Sequence, residues 1–135
     1  MSTKGEDATQ ESVTIDKLPL PDRYKRGLHA ALRVIYSMNI EGFLYVILYG
    51  SCVTGKIKTS SDIDLLIVTE KKLVDRQLRS LIRENVDQTV EVLNVSVDIV
   101  FYTEQTLQTD QSIFTNNIRK YGKIIRKDEK HGFIL

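Results

Sequence analysis

The sequence predicts an α+β domain, and three observations carry that prediction. Apolar runs of strand length recur at residues 44–49, 63–68 and 95–102. Around them, apolar residues three or four apart mark helices over 23–38, 70–93 and 113–121. The chain has 135 residues, enough for one hydrophobic core without disulfides or a structural metal.

The elements follow in order. Residues 1–14 are polar, with Val13 as a lone apolar side chain, and read as a mobile tail ahead of a single domain over 15–135. Pro19 and Pro21 punctuate the approach to the first helix, and Asp22 is placed to cap it. Its apolar stripe is Leu28, Ala31, Leu32, Ile35 and Tyr36; Asn39 and Gly42 end it. Arg23, Lys25, Arg26 and Arg33 are read as its solvated face. His29 is read as structural or exposed, since no second His or Cys is spaced to share a metal with it. After the strand at 44–49 come a Gly50-Ser51 turn, a polar loop and the strand at 63–68. The next helix keeps its spacing through Leu78, Leu81, Ile82, Val86, Val90 and Leu93, until Asn94 breaks it. The segment VSVDIVFY has the composition of a buried strand, and Asp98 in its middle needs a partner. Residues 103–111 read as a loop or short helical turn. Ile113, Phe114, Ile118 and Tyr121 then space as a third helix stopped by Gly122, and 123–126 form a short, charged edge strand. Residues 127–135 are charged and then apolar, with His131 incidental.

Composition narrows the functional classes. The apolar share of 41% and charged share of 27% are ordinary for a globular chain. A net charge of +1 demands neither a nucleic-acid nor a membrane partner, although nucleic acid stays open. No apolar run reaches the roughly 18 residues of a membrane span. The N-terminus lacks the apolar middle of a signal peptide. One cysteine, Cys52, suits a reducing compartment, so a cytoplasmic location is expected, where the Asn94-Val95-Ser96 sequon has no role. Cys52 reads as a small buried residue, not a nucleophile, because no histidine lies near it in sequence. Lys71, Lys72 and the basic residues over 120–127 read as solvated faces, the alternative being a partner surface.

The chemistry gathers on either side of the polar loop. Asp62 and Asp64, two apart at the mouth of a strand, point to one side while Ile63 turns to the other. Adjacent carboxylates repel unless a cation or proton lies between them, and Mg²⁺ favours such oxygen donors together with phosphates. If the strand carrying Asp98 is a neighbour, three carboxylates can bridge two Mg²⁺ ions about 3.5–4 Å apart, an arrangement suited to phosphoryl displacement. Gly50 lets the backbone approach an anion closely, Ser51 offers a hydroxyl and an N–H at the start of a helical turn, and Gly55 keeps the next turn open.

The stretch GSCVTGKIKTSSDIDLLIV resembles the signature of the nucleotidyltransferase superfamily that includes DNA polymerase beta: Gly-Ser, ten residues, then Asp-x-Asp. Asp98 in VSVDIVFY matches that family's third carboxylate, and the resemblance runs over about 23–126. It is similar to the minimal, single-domain members, many of which are encoded with helical HEPN-type partners as toxin–antitoxin pairs. The resemblance implies a mixed sheet flanked by helices, a nucleoside triphosphate such as ATP as donor, and two Mg²⁺ ions on Asp62, Asp64 and Asp98. It further implies that Gly50 and Ser51 hold the triphosphate while AMP passes to a hydroxyl of the protein partner. One departure stands out: relatives often have Ala-Arg-Gly where this chain has Val53-Thr54-Gly55. Threonine cannot replace a bidentate phosphate donor, which leaves Lys56 or Lys58 to supply charge from the loop. Two other readings stay open: transfer to a small, antibiotic-like molecule, and a catalytically silent binding or neutralising subunit, with a homo-oligomer open as well.

Overall fold

Two adjacent apolar runs form the heart of the sheet, and the other strands are laid outward from them. In the computed structural model, which describes residues 12–58 and 60–126, these runs are β2 (Phe43–Tyr49) and β3 (Ile63–Thr69), paired antiparallel. Beyond β3 lies β4 (Val97–Thr103), parallel to it; beyond β2 lies β5 (Lys123–Arg126), antiparallel to it. A three-residue strand, β1 (Ser12–Thr14), runs parallel to β5 and completes the order β1–β5–β2–β3–β4. The sheet is mixed and flanked by helices, as the family resemblance implies.

The near-continuous apolar sequence of β3 is that of a strand covered on both faces. On one face Val46, Leu48, Ile63, Leu65, Ile67 and Ile99 pack under α1 (Asp22–Ser37) and α3 (Arg76–Val90). On the other, Ile47, Leu66 and Val68 meet Leu107 of α4 (Glu104–Thr109) and Ile118 of α5 (Ile113–Tyr121). The remaining α-helix among the described residues is one turn, α2 (Ser51–Thr54).

Several elements differ from the sequence expectation. Asp22 is the first residue of α1 and makes no side-chain cap; Pro21 holds the cap position, with φ fixed in a helix-ready value. Arg23 is only partly solvated: its guanidinium donates to Asn94 O at 2.6 Å and stacks on Tyr24. The second long helix starts at Arg76 instead of 70–72, because Asp75 accepts from the N–H groups of Gln77 and Leu78 and fixes the first turn there. Part of the expected tail, Ser12–Thr14, is strand β1, and β5 is therefore internal and not an edge. The short β5 has a strand on each side, so its main-chain groups are covered without relying on charge. Gly122 does stop α5, but with φ −63°. A Cβ there would lie 2.6 Å from Ile118 O and 2.7 Å from the Ile47 side chain, so glycine is required for space. Residues 104–109 form a helix, one of the two alternatives for that segment. His29 is structural, its ring 2.9 Å from the Asp16 carboxylate. His131 lies outside the described residues.

Leu65 is fully buried in the centre of the sheet, whereas Leu81 is 47% exposed on α3. Leu65→Ala is expected to cost about 2–5 kcal/mol of unfolding free energy and Leu81→Ala less than about 1 kcal/mol, measured by urea denaturation.

Candidate active site

Register decides where the carboxylates go. Ile63 is buried with the α1/α3 layer, so Asp64 turns to the opposite face, and Asp62, two residues earlier, shares its side. Parallel pairing sets Asp64 opposite Asp98, and antiparallel pairing sets it opposite Tyr49. Adjacent strands are about 4.8 Å apart, so the Asp64 and Asp98 side chains stand next to each other with Tyr49 on the far flank. Asp98 is exposed near the start of an outer strand, not in the middle of a buried one. Its carboxylate therefore keeps water and escapes the burial penalty that the sequence suggested.

The mutual field of these groups is visible in their acidities. Burial, then Asp98, then Asp62 raise the Asp64 carboxyl from its usual value to about 6. Burial pushes the Tyr49 phenol well above its ordinary range, with Asp64, Asp98 and Tyr102 adding to the effect. The Cys52 thiol is raised to about 11 by burial and then by Asp64, so it stays protonated and is no nucleophile.

The Gly-Ser turn is locked onto the same carboxylate. Gly50 has φ 79° and ψ −151°, a backbone shape that favours glycine. A Cβ built on it would lie 2.2 Å from Asp64 Oδ2. The glycine is thus required twice, for its positive φ and for the space that Asp64 occupies. The N–H groups of Val53 and Thr54 return to Gly50 O at 3.0 and 3.2 Å, which starts α2 with Ser51 as its first residue. Cys52 Sγ reaches Asp62 O at 3.9 Å and ties the turn to the Asp-x-Asp segment.

The loop between them is pinned from α1. Tyr24 shares its hydroxyl proton between Lys58 O at 3.1 Å and Ser61 O at 3.0 Å, while Ser61 Oγ accepts from Lys58 N at 2.7 Å. Thr54, Lys56 and Lys58 are exposed on this stretch. The five residues singled out in the sequence, Gly50, Ser51, Asp62, Asp64 and Asp98, are therefore brought to one end of β3. Tyr24 and Tyr49 were not foreseen as part of this region. Tyr49 could have been, since it precedes the glycine in a strand whose partner carries Asp64; Tyr24, some thirty residues upstream of the loop it holds, left no local signal.

Among the described residues no three His, Cys, Asp or Glu side chains are already gathered closely enough to enclose a metal. Asp64 and Asp98 form a coupled pair with Asp62 exposed beside them, an open arrangement for like charges. Its chemistry fits a hard divalent cation, since carboxylate oxygens are the donors such an ion favours.

The match to known proteins agrees with this geometry. The family described as Polymerase beta, Nucleotidyltransferase matches residues 35–130, a span that includes the Gly-Ser turn and all three aspartates. The chain belongs to this nucleotidyltransferase family. Among solved structures it is similar in fold to a toxin–antitoxin with AMP-PNP, at 22% identity over 70% of each chain and a TM-score of 0.51. It is similar also to a mutant of the toxin–antitoxin MntA-HpeT, at 18% identity over 77% of this chain and 72% of that one, TM-score 0.52. No curated protein matches the chain significantly.

Gly50→Ala is expected to lower stability by about 1–3 kcal/mol in urea melts, through the positive φ and the collision with Asp64. Asp64 also predicts a pH signature. A folded-state pKa raised above the unfolded one means that the native state binds more protons between about pH 4 and 6, so this contribution to stability is lost as pH rises through about 6. Asp64→Asn should melt higher than the native sequence at pH 7.5 in chelator, and the advantage should vanish near pH 4.

Proposed function

We propose that this chain transfers a nucleoside monophosphate, AMP from ATP with release of pyrophosphate, to a hydroxyl of a helical HEPN-type protein partner, and acts as the antitoxin of that pair. The observation that carries this reading is the Asp64–Asp98 register beside a glycine whose Cα is packed against the Asp64 carboxylate. Asp62, Asp64 and Asp98 are the residues that would hold two Mg²⁺ ions. Divalent cations held there neutralise phosphate charge and lower the pKa of an acceptor hydroxyl.

The chain's own residues divide the remaining work. Gly50 offers a backbone without a side chain at the closest point of approach, and Ser51 directs its N–H and hydroxyl to the triphosphate. Lys56 and Lys58, on the loop that Tyr24 holds, supply positive charge where Thr54 has none. Asp98, on the outer strand and open to solvent, faces the acceptor and takes its proton. Fold neighbours that include a toxin–antitoxin with AMP-PNP support both a triphosphate donor and a protein acceptor. A cytoplasmic setting is part of the proposal; no helix among the described residues is long and apolar enough to cross a membrane.

Incubation with labelled ATP, Mg²⁺ and a helical protein encoded beside this chain is expected to place label on a hydroxyl side chain of that protein. Asp64→Asn and Asp98→Asn should each reduce the rate by roughly a hundredfold or more while far-UV circular dichroism stays native. Label on a small hydroxylated compound instead would reassign the acceptor, and full transfer by Asp64→Asn would sink the assignment of roles.

A further inference from the structure

The far ends of the two strands that carry the aspartates border a second concavity. A cleft of about 280 Å³ is lined by Lys72, Arg79 and Arg83 together with four consecutive residues of β4, 100–103. Consecutive strand residues face opposite sides of a sheet, so a cleft that touches four in a row runs along the rim of the strand. Among the described residues β4 is the outermost strand, so that rim is the edge of the sheet.

The main chain there has a defined direction. Ile63 N donates to Ser96 O, so residues 96, 98 and 100 turn their main-chain groups toward β3, and 97, 99 and 101 turn theirs outward. Arg83 agrees with this alternation: its Nε and Nη2 donate to Ile99 O at 3.3 and 3.1 Å, and its guanidinium lies 5.0 Å from the centre of the Phe101 ring. The next outward pair, the N–H and C=O of Phe101, belongs to a residue of the cleft wall.

Charge supplies the second half of the argument. Among the described residues the one ion pair is His29–Asp16, so Lys72, Arg79 and Arg83 have no carboxylate partner there. Arg79 donates to the main-chain oxygen of Leu73, as Arg83 does to that of Ile99. Both guanidiniums are thus held in place by neutral acceptors, which fixes their position and leaves their charge uncompensated.

We propose that this rim docks an extended acidic peptide segment of a partner protein, which adds a strand to β4 and sets its carboxylates against Lys72, Arg79 and Arg83. Phe101 lies about 10 Å along β4 from Asp98, and its outward main-chain groups play no part in the transfer chemistry, so the proposal does not rest on it. A free anion has no main chain to pair with Phe101, and a net charge of +1 does not favour nucleic acid.

The test is fluorescence anisotropy at low salt on the full chain, with a labelled peptide of about eight alternating Glu and Val residues, and amide NMR to locate it. The peptide should bind, with shifts centred on Leu73 and Phe101. Lys72→Gln and Arg79→Gln should each weaken it about tenfold, as expected for loss of a charge-assisted contact. Lys72 is exposed, so its variant should keep the native urea melt. A copy with alternate amides N-methylated, and inorganic phosphate, should bind at least about tenfold more weakly than the unmodified peptide. The proposal is overturned by absence of binding, by shifts centred elsewhere, by equal binding of the N-methylated peptide or phosphate, or by tighter binding of a single-stranded RNA oligonucleotide.

Discussion

The parallel register of β3 on β4 is the constraint from which the candidate site follows. Asp64 and Asp98 are neighbours because their strands pair Asp64 with Asp98 and not with a residue one place away. A slip of one residue would turn Asp98 toward the α1/α3 layer and scatter the charges over two faces. What resists that slip is the core itself. Ile99 and Phe101 of β4 pack in one layer while Val100 and Tyr102 pack in the other, and a slipped β4 would forfeit both. The apolar packing that stabilises the domain and the geometry that gathers its acids are one arrangement.

The two faces of the sheet are not equally covered, and this gives the site its access. One is roofed by two long helices; the other is covered by the short α4 and α5. Phe114 marks where that second cover ends, with its ring edge-on to Tyr49 at 5.5 Å and to Tyr102 at 6.3 Å between centroids. Behind it the Tyr102 hydroxyl and Thr115 Oγ1 are 2.7 Å apart, and Thr115 and Ser112 donate to Asp110. Those bonds hold the Asp110 carboxyl below its usual value and fasten the α4–α5 corner to β4. The aspartates stand next to this aromatic margin with solvent on their open side.

Much of this was legible from residue order because the signals are local. Strand and helix periods, the ten-residue gap between Ser51 and Asp62, and the alternation that pairs Asp62 with Asp64 all lie within short windows. The misreadings share a cause. Arg23 looked like a solvated charge because its acceptor, Asn94 O, lies on a distant turn. Ser12–Thr14 looked like tail, and β5 like an edge, because each gains its partner only when the other is present. Asp98 was expected in a buried strand because its neighbours are apolar, but composition does not tell which strand ends the sheet. The cleft lined by Lys72, Arg79 and Arg83 was equally invisible, as it depends on α3 crossing beside that outer strand.

The placement of β1 has a consequence for how the chain is made. Its contacts in the sheet are with β5, more than a hundred residues later, and β5 in turn fills the gap between β1 and β2. During synthesis β1 has no place in the sheet until β5 has left the ribosome, while α1, β2, β3, α3 and β4 can already assemble. The acidic cluster thus belongs to the part that can form early. Closure of the opposite flank waits for β5.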